Sequence, residues 1–189
     1  MSKVEGQVRE RRLDAQAEAR RRVALAQIRQ FPDPVLRLEA HEVEAFDDEL
    51  RSLVERMKSL MTDANGVGLA GNQVGVLRRL FVFQPGDEEE VVAVVNPRLV
   101  ERSDDFETDD EGCLSMQGVR VPVERAARVT LEGKDVKGRD LRLALEGLGA
   151  RVAQHEIDHL DGVLILDRTT EEARREAMAI LRPKPILVR

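Results

Sequence analysis

The spacing of apolar residues divides the 189-residue chain into regions of different period. Residues 1–24 are mostly Arg, Glu, Ala and Gln with few apolar anchors, which predicts a solvated helix or a frayed arm. Phe31-Pro32-Asp33-Pro34 forms a boundary, because two prolines forbid helix continuation. Asp47-Asp48-Glu49 then supplies a cap and acidic first turn for an amphipathic helix. Leu50, Leu53, Val54, Met57, Leu60 and Met61 follow at helical spacing, and Asn65-Gly66 ends the run. From 67 to 145 the pattern predicts strands at Leu80–Phe83, Val91–Val95, Val119–Val123, Arg128–Leu131 and Leu141–Leu145, separated by turn formers. A helix over about 148–160, a short strand at Val163–Leu166 and a helix from about Thr170 to Leu181 complete the series. Thr169 and Glu172 are spaced as a capping box for that last helix, and Pro183 ends it. This order is α+β, without regular βαβ alternation.

Composition narrows the class. Forty-two per cent of the residues are apolar and 35 per cent charged, enough apolar material for a core. No run approaches the roughly 18 apolar residues that span a bilayer, and the first 22 residues lack an apolar signal region. A lone cysteine, Cys113, excludes an intramolecular disulfide framework. The expectation is a soluble, cytoplasmic protein without a membrane partner. The net charge of −6 argues against a nucleic-acid-coating role, so no DNA partner is expected. Residues 1–24 nevertheless carry seven Lys/Arg against four acids, a local +3 that leaves −9 for the remainder. With no Trp and no Tyr, aromatic base-stacking platforms are essentially excluded.

Two of the three histidines lie in Gln154-His155-Glu156-Ile157-Asp158-His159. Residues four apart share one helix face, so His155 and His159 can chelate one metal ion, with Glu156 beside them. Leu148 and Val152 continue the same stripe, which turns it inward, and a buried unpaired imidazole pair is costly. A catalytic zinc-type site needs a third protein ligand. No histidine follows His159, and His41 is far upstream in a polar stretch, as an ordinary surface residue would be. Cys113, in Glu111-Gly112-Cys113-Leu114-Ser115, is the better candidate, although a lone buried thiol is commonly inert. One thiolate and two imidazoles suit Zn(II) or Fe(II). Read alone, the glycine-rich Gly66–Gln73 segment is a helix C-cap and turn.

Together the three segments resemble the peptide deformylases, whose motifs have the form Gly-x-Gly-Leu-Ala-x-x-Gln, Glu-Gly-Cys-Leu-Ser and His-Glu-x-x-His. The resemblance extends over about residues 27 to 182 and begins with Phe31-Pro32-Asp33-Pro34-Val35-Leu36-Arg37. It implies an arm over 1–26, a catalytic domain over 27–182 and a tail over 183–189. The implied fold is α+β, with mixed, mostly antiparallel strands around a central metal-bearing helix and a C-terminal helix. The short second motif implies a bacterial-type enzyme. Gly71 departs from an alanine common in the family, and Met116-Gln117 from a hydrophobic-proline pair.

The implied activity is removal of the N-formyl group from the initiator methionine of nascent polypeptides. Cys113, His155 and His159 would hold the metal: ferrous iron in the cell, with zinc, nickel or cobalt able to occupy the site. Glu156 would handle protons, while the Gln73 amide and Leu114 N–H would stabilise the oxyanion. Val67, Gly68 and Gly112 would bind the peptide as an added strand, and Arg120, Leu148 and Val152 would line the methionine pocket. A zinc endopeptidase lacks its downstream third ligand here, and a non-catalytic module would not need Glu156 or Gln73. The basic arm, and Arg174, Arg175, Arg182, Lys184 and Arg189 near the other end, suggest a weak ribosome contact.

Overall fold

A computed structural model describes residues 3–10, 14–86 and 89–182. Two short strands, β1 (Lys3–Glu5) and β2 (Val8–Glu10), pair antiparallel as a hairpin. Helix α1 (Ala15–Leu25) follows, with the Asp14 carboxylate accepting the Ala17 N–H as N-cap. The expected polar helix is therefore present, but it begins only at residue 15. The hairpin before it was not anticipated, since residues 3–10 have little apolar pattern.

Helix α2 (Asp48–Asp63) is capped by Asp47, whose carboxylate accepts the Leu50 N–H. Its inward stripe is Leu50, Val54, Met57, Leu60 and Met61, as the spacing predicts. Five strands then build the main sheet: β3 (Gly68–Ala70), β4 (Leu80–Phe83), β5 (Val92–Arg102), and, later in the chain, two more. Between them lies a separate ribbon of β6 (Phe106–Cys113) and β7 (Met116–Ala126). Strands β8 (Arg128–Lys134) and β9 (Asp140–Glu146) return to the main sheet, giving the antiparallel order β3-β4-β5-β8-β9. Helix α3 (Gly147–Leu160), a 3-10 turn at Ile165–Asp167 and helix α4 (Glu171–Leu181) complete the described chain.

Alternation along β4 shows how the layers assemble. Leu80 and Val82 pack with the α2 stripe on one face of the sheet. Phe81 and Phe83 pack on the other with Val152, Ala153, Ile157 and Leu160 of α3. Successive strand side chains point to opposite faces, so a sheet covered on both sides requires an unbroken apolar run such as Leu-Phe-Val-Phe. Helix α3 is consequently enclosed, and every residue from Gly149 to Leu160 is buried. On the β6–β7 ribbon, Val119, Val121 and Val123 face a third cluster with Cys113, Leu164, Ile165, Leu166 and Ala177 of α4. The α+β class and central helix are as expected.

Two local expectations are corrected, and one strand was not anticipated. Val163–Leu166 is not a strand: the Asp167 carboxylate accepts the Leu164 N–H and pairs with Arg37, which closes a 3-10 turn instead. The cap of α4 is Thr170, not Thr169, and its Oγ1 accepts the Ala173 N–H. The Thr169 hydroxyl is committed to the Pro122 carbonyl at 2.8 Å. Strand β6 had no clear sequence signal because its outer half, Glu107 to Asp110, is acidic and exposed; pairing with β7 creates it.

Candidate metal centre

The buried face of α3 carries both imidazoles, with ring centroids 5.0 Å apart. The end of β6 brings Cys113 against them, its Sγ 3.3 Å from His159 Nε2. Candidate ligand atoms of Cys113, His155 and His159 all lie within 4.8 Å of one another, and all three residues are buried. His155 Nδ1 lies 2.9 Å from Glu111 Oε2, an orientation that turns the Nε2 lone pair inward. That Nε2 is buried with no hydrogen-bond partner. A buried nitrogen left unsatisfied calls for an occupant.

The electrostatics fit a cation. Burial pushes the Cys113 thiol far up, with the neighbouring carboxylates of Glu156 and Glu111 adding to it. Burial also pulls the His159 imidazole well below its ordinary value, followed by the charges of His155 and Arg125. A neutral imidazole keeps the lone pair that ligation needs, and a dication supplies the charge that makes the thiolate affordable. The donor set therefore fits one divalent metal.

Behind His155 sits a buried ionic network. Burial alone would raise Glu111, but hydrogen bonds from His155 and Arg125, together with the Arg125 charge, hold its carboxyl well below the usual range. Arg125 Nε and Nη2 each lie 3.0 Å from the two carboxylate oxygens, and Arg151 Nη1 donates at 2.9 Å. Arg125 also reaches Asp158 on α3, which Arg168 binds from the other side. Glu111 lies within the Glu-Gly-Cys-Leu-Ser motif, where residue type and spacing alone assign it no role. Arg125 and Arg151 carried no local signal, because their importance depends on where β7 meets α3.

Glu156 is fully buried on the adjoining face, and burial raises its carboxyl well above the ordinary value. A Cβ on Gly68 would lie 2.1 Å from Glu156 Oε1, so only glycine leaves room for that carboxylate. The 3-10 turn Gly71–Val74 delivers Gln73, whose Nε2 donates to Ser115 Oγ at 3.0 Å and lies 3.6 Å from Cys113 Sγ. Of the expected pocket residues, Val152 packs beside Gly68 and is fully buried. Arg120 stands opposite Gly112 in the β6–β7 ladder with an exposed side chain. Leu148 is half-buried, two turns of α3 before His155. His41 is exposed, as expected.

Gln7, from the hairpin, was missed as well. Its carboxamide Oε1 accepts the Leu114 N–H at 3.1 Å and Gln73 Nε2 at 3.0 Å. Its Nε2 donates to both Glu156 oxygens, at 2.7 and 2.8 Å, and to Gln73 Oε1 at 2.8 Å. No pattern of period or motif marks a glutamine in a polar arm.

The sequence model of the polypeptide deformylase family matches residues 25–175. A peptide deformylase of Dictyoglomus turgidum is 44% identical over 149 residues, 79% of this chain and 95% of that protein. Peptide deformylase 1 of Corynebacterium glutamicum is 44% identical over 162 residues, 85% of this chain and 96% of its own length. The crystal structure of a peptide deformylase from Legionella pneumophila aligns with a TM-score of 0.78 at 41% identity. That alignment covers 82% of this chain and 91% of the other.

Because Glu111 orients His155, Glu111→Gln is expected to weaken metal affinity about 10–100-fold. Competition with a chelator on the metal-loaded protein measures it. Unchanged affinity would show that His155 needs no such support.

Proposed function

The chain belongs to the peptide deformylase family, and from that premise we propose a role for each residue gathered around Cys113, His155 and His159. The enzyme removes the N-formyl group from the initiator methionine of nascent polypeptides, consuming water and giving formate and a free amine. Its catalytic domain is taken as 27–182, with an arm over 1–26 and a tail over 183–189; the tail lies outside the described residues. Cys113, His155 and His159 are the ligands of the single divalent metal. Bound there, the metal supplies Lewis-acid polarisation of water and of the formyl oxygen.

The observation that carries the reading is convergence. The Leu114 N–H and Gln73 Nε2 meet on one carbonyl oxygen, while Glu156 faces the nitrogen of the same amide. With a formamide in place of that carboxamide, the two donors stabilise the oxyanion. One such donor is typically worth about 10²–10³ in rate. Glu156 takes a proton from the attacking water and passes it to the leaving amine, a task suited to a carboxyl raised by burial. The Val67 N–H and Gly112 carbonyl hold the peptide main chain, which leaves the sequence after methionine largely unread. Gly68 keeps space for Glu156, and Val152, Leu148 and the Arg120 stem line the methionine pocket.

Iron(II) is the cellular metal in this reading, with zinc, nickel or cobalt as substitutes; one thiolate and two imidazoles support that range. The substrate emerges from ribosomes, which puts the enzyme in the cytoplasm. The outward face of α4, with exposed Arg174 and Arg175, offers a weak electrostatic contact there, and the sequence of the tail adds Lys184 and Arg189.

Glu156→Gln is expected to retain metal and lose about 10²–10⁴-fold in formate release from formyl-Met-Ala-Ser. A parallel loss of metal would make Glu156 a ligand or a structural group. Protein purified anaerobically with iron should release formate faster than the aerobic preparation, and nickel-loaded protein should resist oxygen. Equal decay of both forms would exclude iron oxidation as the cause. Removing 183–189 should reduce ribosome co-sedimentation at low salt and leave turnover of the short peptide unchanged; unaltered co-sedimentation would sink the contact.

A further inference from the structure

We propose that residues 3–10 are an intramolecular pseudosubstrate: the arm occupies the peptide-binding cleft and must leave before a formylated chain can enter. The inference rests on the deformylase reading of the site and concerns its regulation.

Main-chain bonding seats the arm as a strand. The Gln7 N–H donates to the Gly112 carbonyl at 3.1 Å, and the Val67 N–H donates to the Gln7 carbonyl at 3.0 Å. The Arg9 N–H reaches the Asn65 carbonyl at 3.2 Å, and Asn65 Nδ2 returns a bond to the Arg9 carbonyl at 2.7 Å. Gly6 bridges Gly112 in parallel sense, and Val8 bridges Gly66 in antiparallel sense. The arm thus fills the gap between the end of β6 and the segment entering β3. Those are the same edges, Gly112 and Val67, that the substrate backbone needs. Both cannot be held at once.

The side chain completes the mimicry. A glutamine carboxamide presents a carbonyl oxygen and an N–H in one plane, as a formamide does. Gln7 is fully buried, and its oxygen receives the two oxyanion donors while its nitrogen faces Glu156. Alanine or leucine at position 7 would leave the Leu114 N–H and Glu156 without those partners. A glutamate would bring a carboxylate against Glu156 and offer no N–H.

Close approach here depends on Gly6. Its φ is +59°, and a Cβ would lie 2.7 Å from the Gly112 carbonyl oxygen and 2.9 Å from Glu111 Cβ. A side chain at this position is excluded both by conformation and by space. Helix α1 keeps the arm nearby, because Arg21 donates to the Ala64 carbonyl and to Gln117. A short tether gives the arm an effective concentration in the millimolar range. Its few backbone bonds are opposed by the ordering of a polar segment, which leaves it displaceable by substrate.

An arm docked about 90% of the time raises the apparent KM about tenfold. Deleting residues 1–13, which spares the Asp14 cap, should therefore lower KM for formyl-Met-Ala-Ser about tenfold with little change in kcat. Gln7→Ala and Gly6→Val in the full chain should shift KM the same way. A synthetic peptide of residues 1–12 should inhibit the truncated enzyme competitively, and the same peptide with Gln7→Ala should not. Hydrogen exchange gives a readout independent of turnover: the Gln7 and Arg9 amides should be protected in the full chain and unprotected in the Gly6→Val variant. With formate released, equal KM values in full and truncated enzyme, or unprotected Gln7 and Arg9 amides, overturn the pseudosubstrate. No formate from either form overturns the deformylase reading instead.

Discussion

The Glu111 carboxylate, buried among Arg125, Arg151 and His155, is the constraint on which the site depends. The cysteine and the two histidines come from elements with no local reason to meet. Cys113 ends a ribbon strand, whereas His155 and His159 lie on a helix enclosed by a different sheet. Glu111 stands two residues before the cysteine and bonds directly to His155, so one carboxylate sets both the ring orientation and the distance between the elements. Arg125 extends the lock to Asp158 on the same helix. Removing one partner of such a network typically costs about 3–5 kcal/mol, because a buried charge is left uncompensated. Its contribution here is geometric: it specifies one docking of ribbon on helix.

Around that lock the protein shapes charge by withholding water. The groups behind His155, Glu111 and Arg125, hold each other in their charged forms. Those facing the cleft are pushed by burial toward their neutral forms: Cys113 and Glu156 upward, His159 downward. A cavity of neutral donors beside a compensated ion network suits a dication at the Cys113, His155 and His159 group. The same burial places the hydrogen bonds from the Leu114 N–H and Gln73 Nε2 to Gln7 in a medium where each acts strongly.

Main-chain hydrogen bonds seat the N-terminal arm at Gln7 between Gly112 and Val67. Backbone bonds of this kind hold an extended segment without reading its side chains. The Gln7 carboxamide fits between Gln73, Leu114 and Glu156.

Much of the structure was legible from periodicity. The helical stripe from Leu50 to Met61, the doubly apolar Leu80–Phe83 and the i, i+4 spacing of His155 and His159 each follow from residues within one element. The ordered motifs also marked Cys113, Gln73 and Glu156 for the site, since their chemistry is carried by residue type and spacing. Misreadings arose where competing local bonds decided the outcome, as at Thr169, whose hydroxyl is drawn to Pro122 instead of the α4 amide ends. The acidic strand β6, the Arg125 network and Gln7 were invisible for a deeper reason. An exposed acid, an arginine on a strand or a glutamine in a polar arm acquires meaning only from a partner many residues away. Sequence determined the elements and the chemical inventory, because periodicity and residue chemistry are local. Tertiary structure alone decided which charges compensate one another and what fills the cleft, because burial and long-range contacts exist only after the chain has folded.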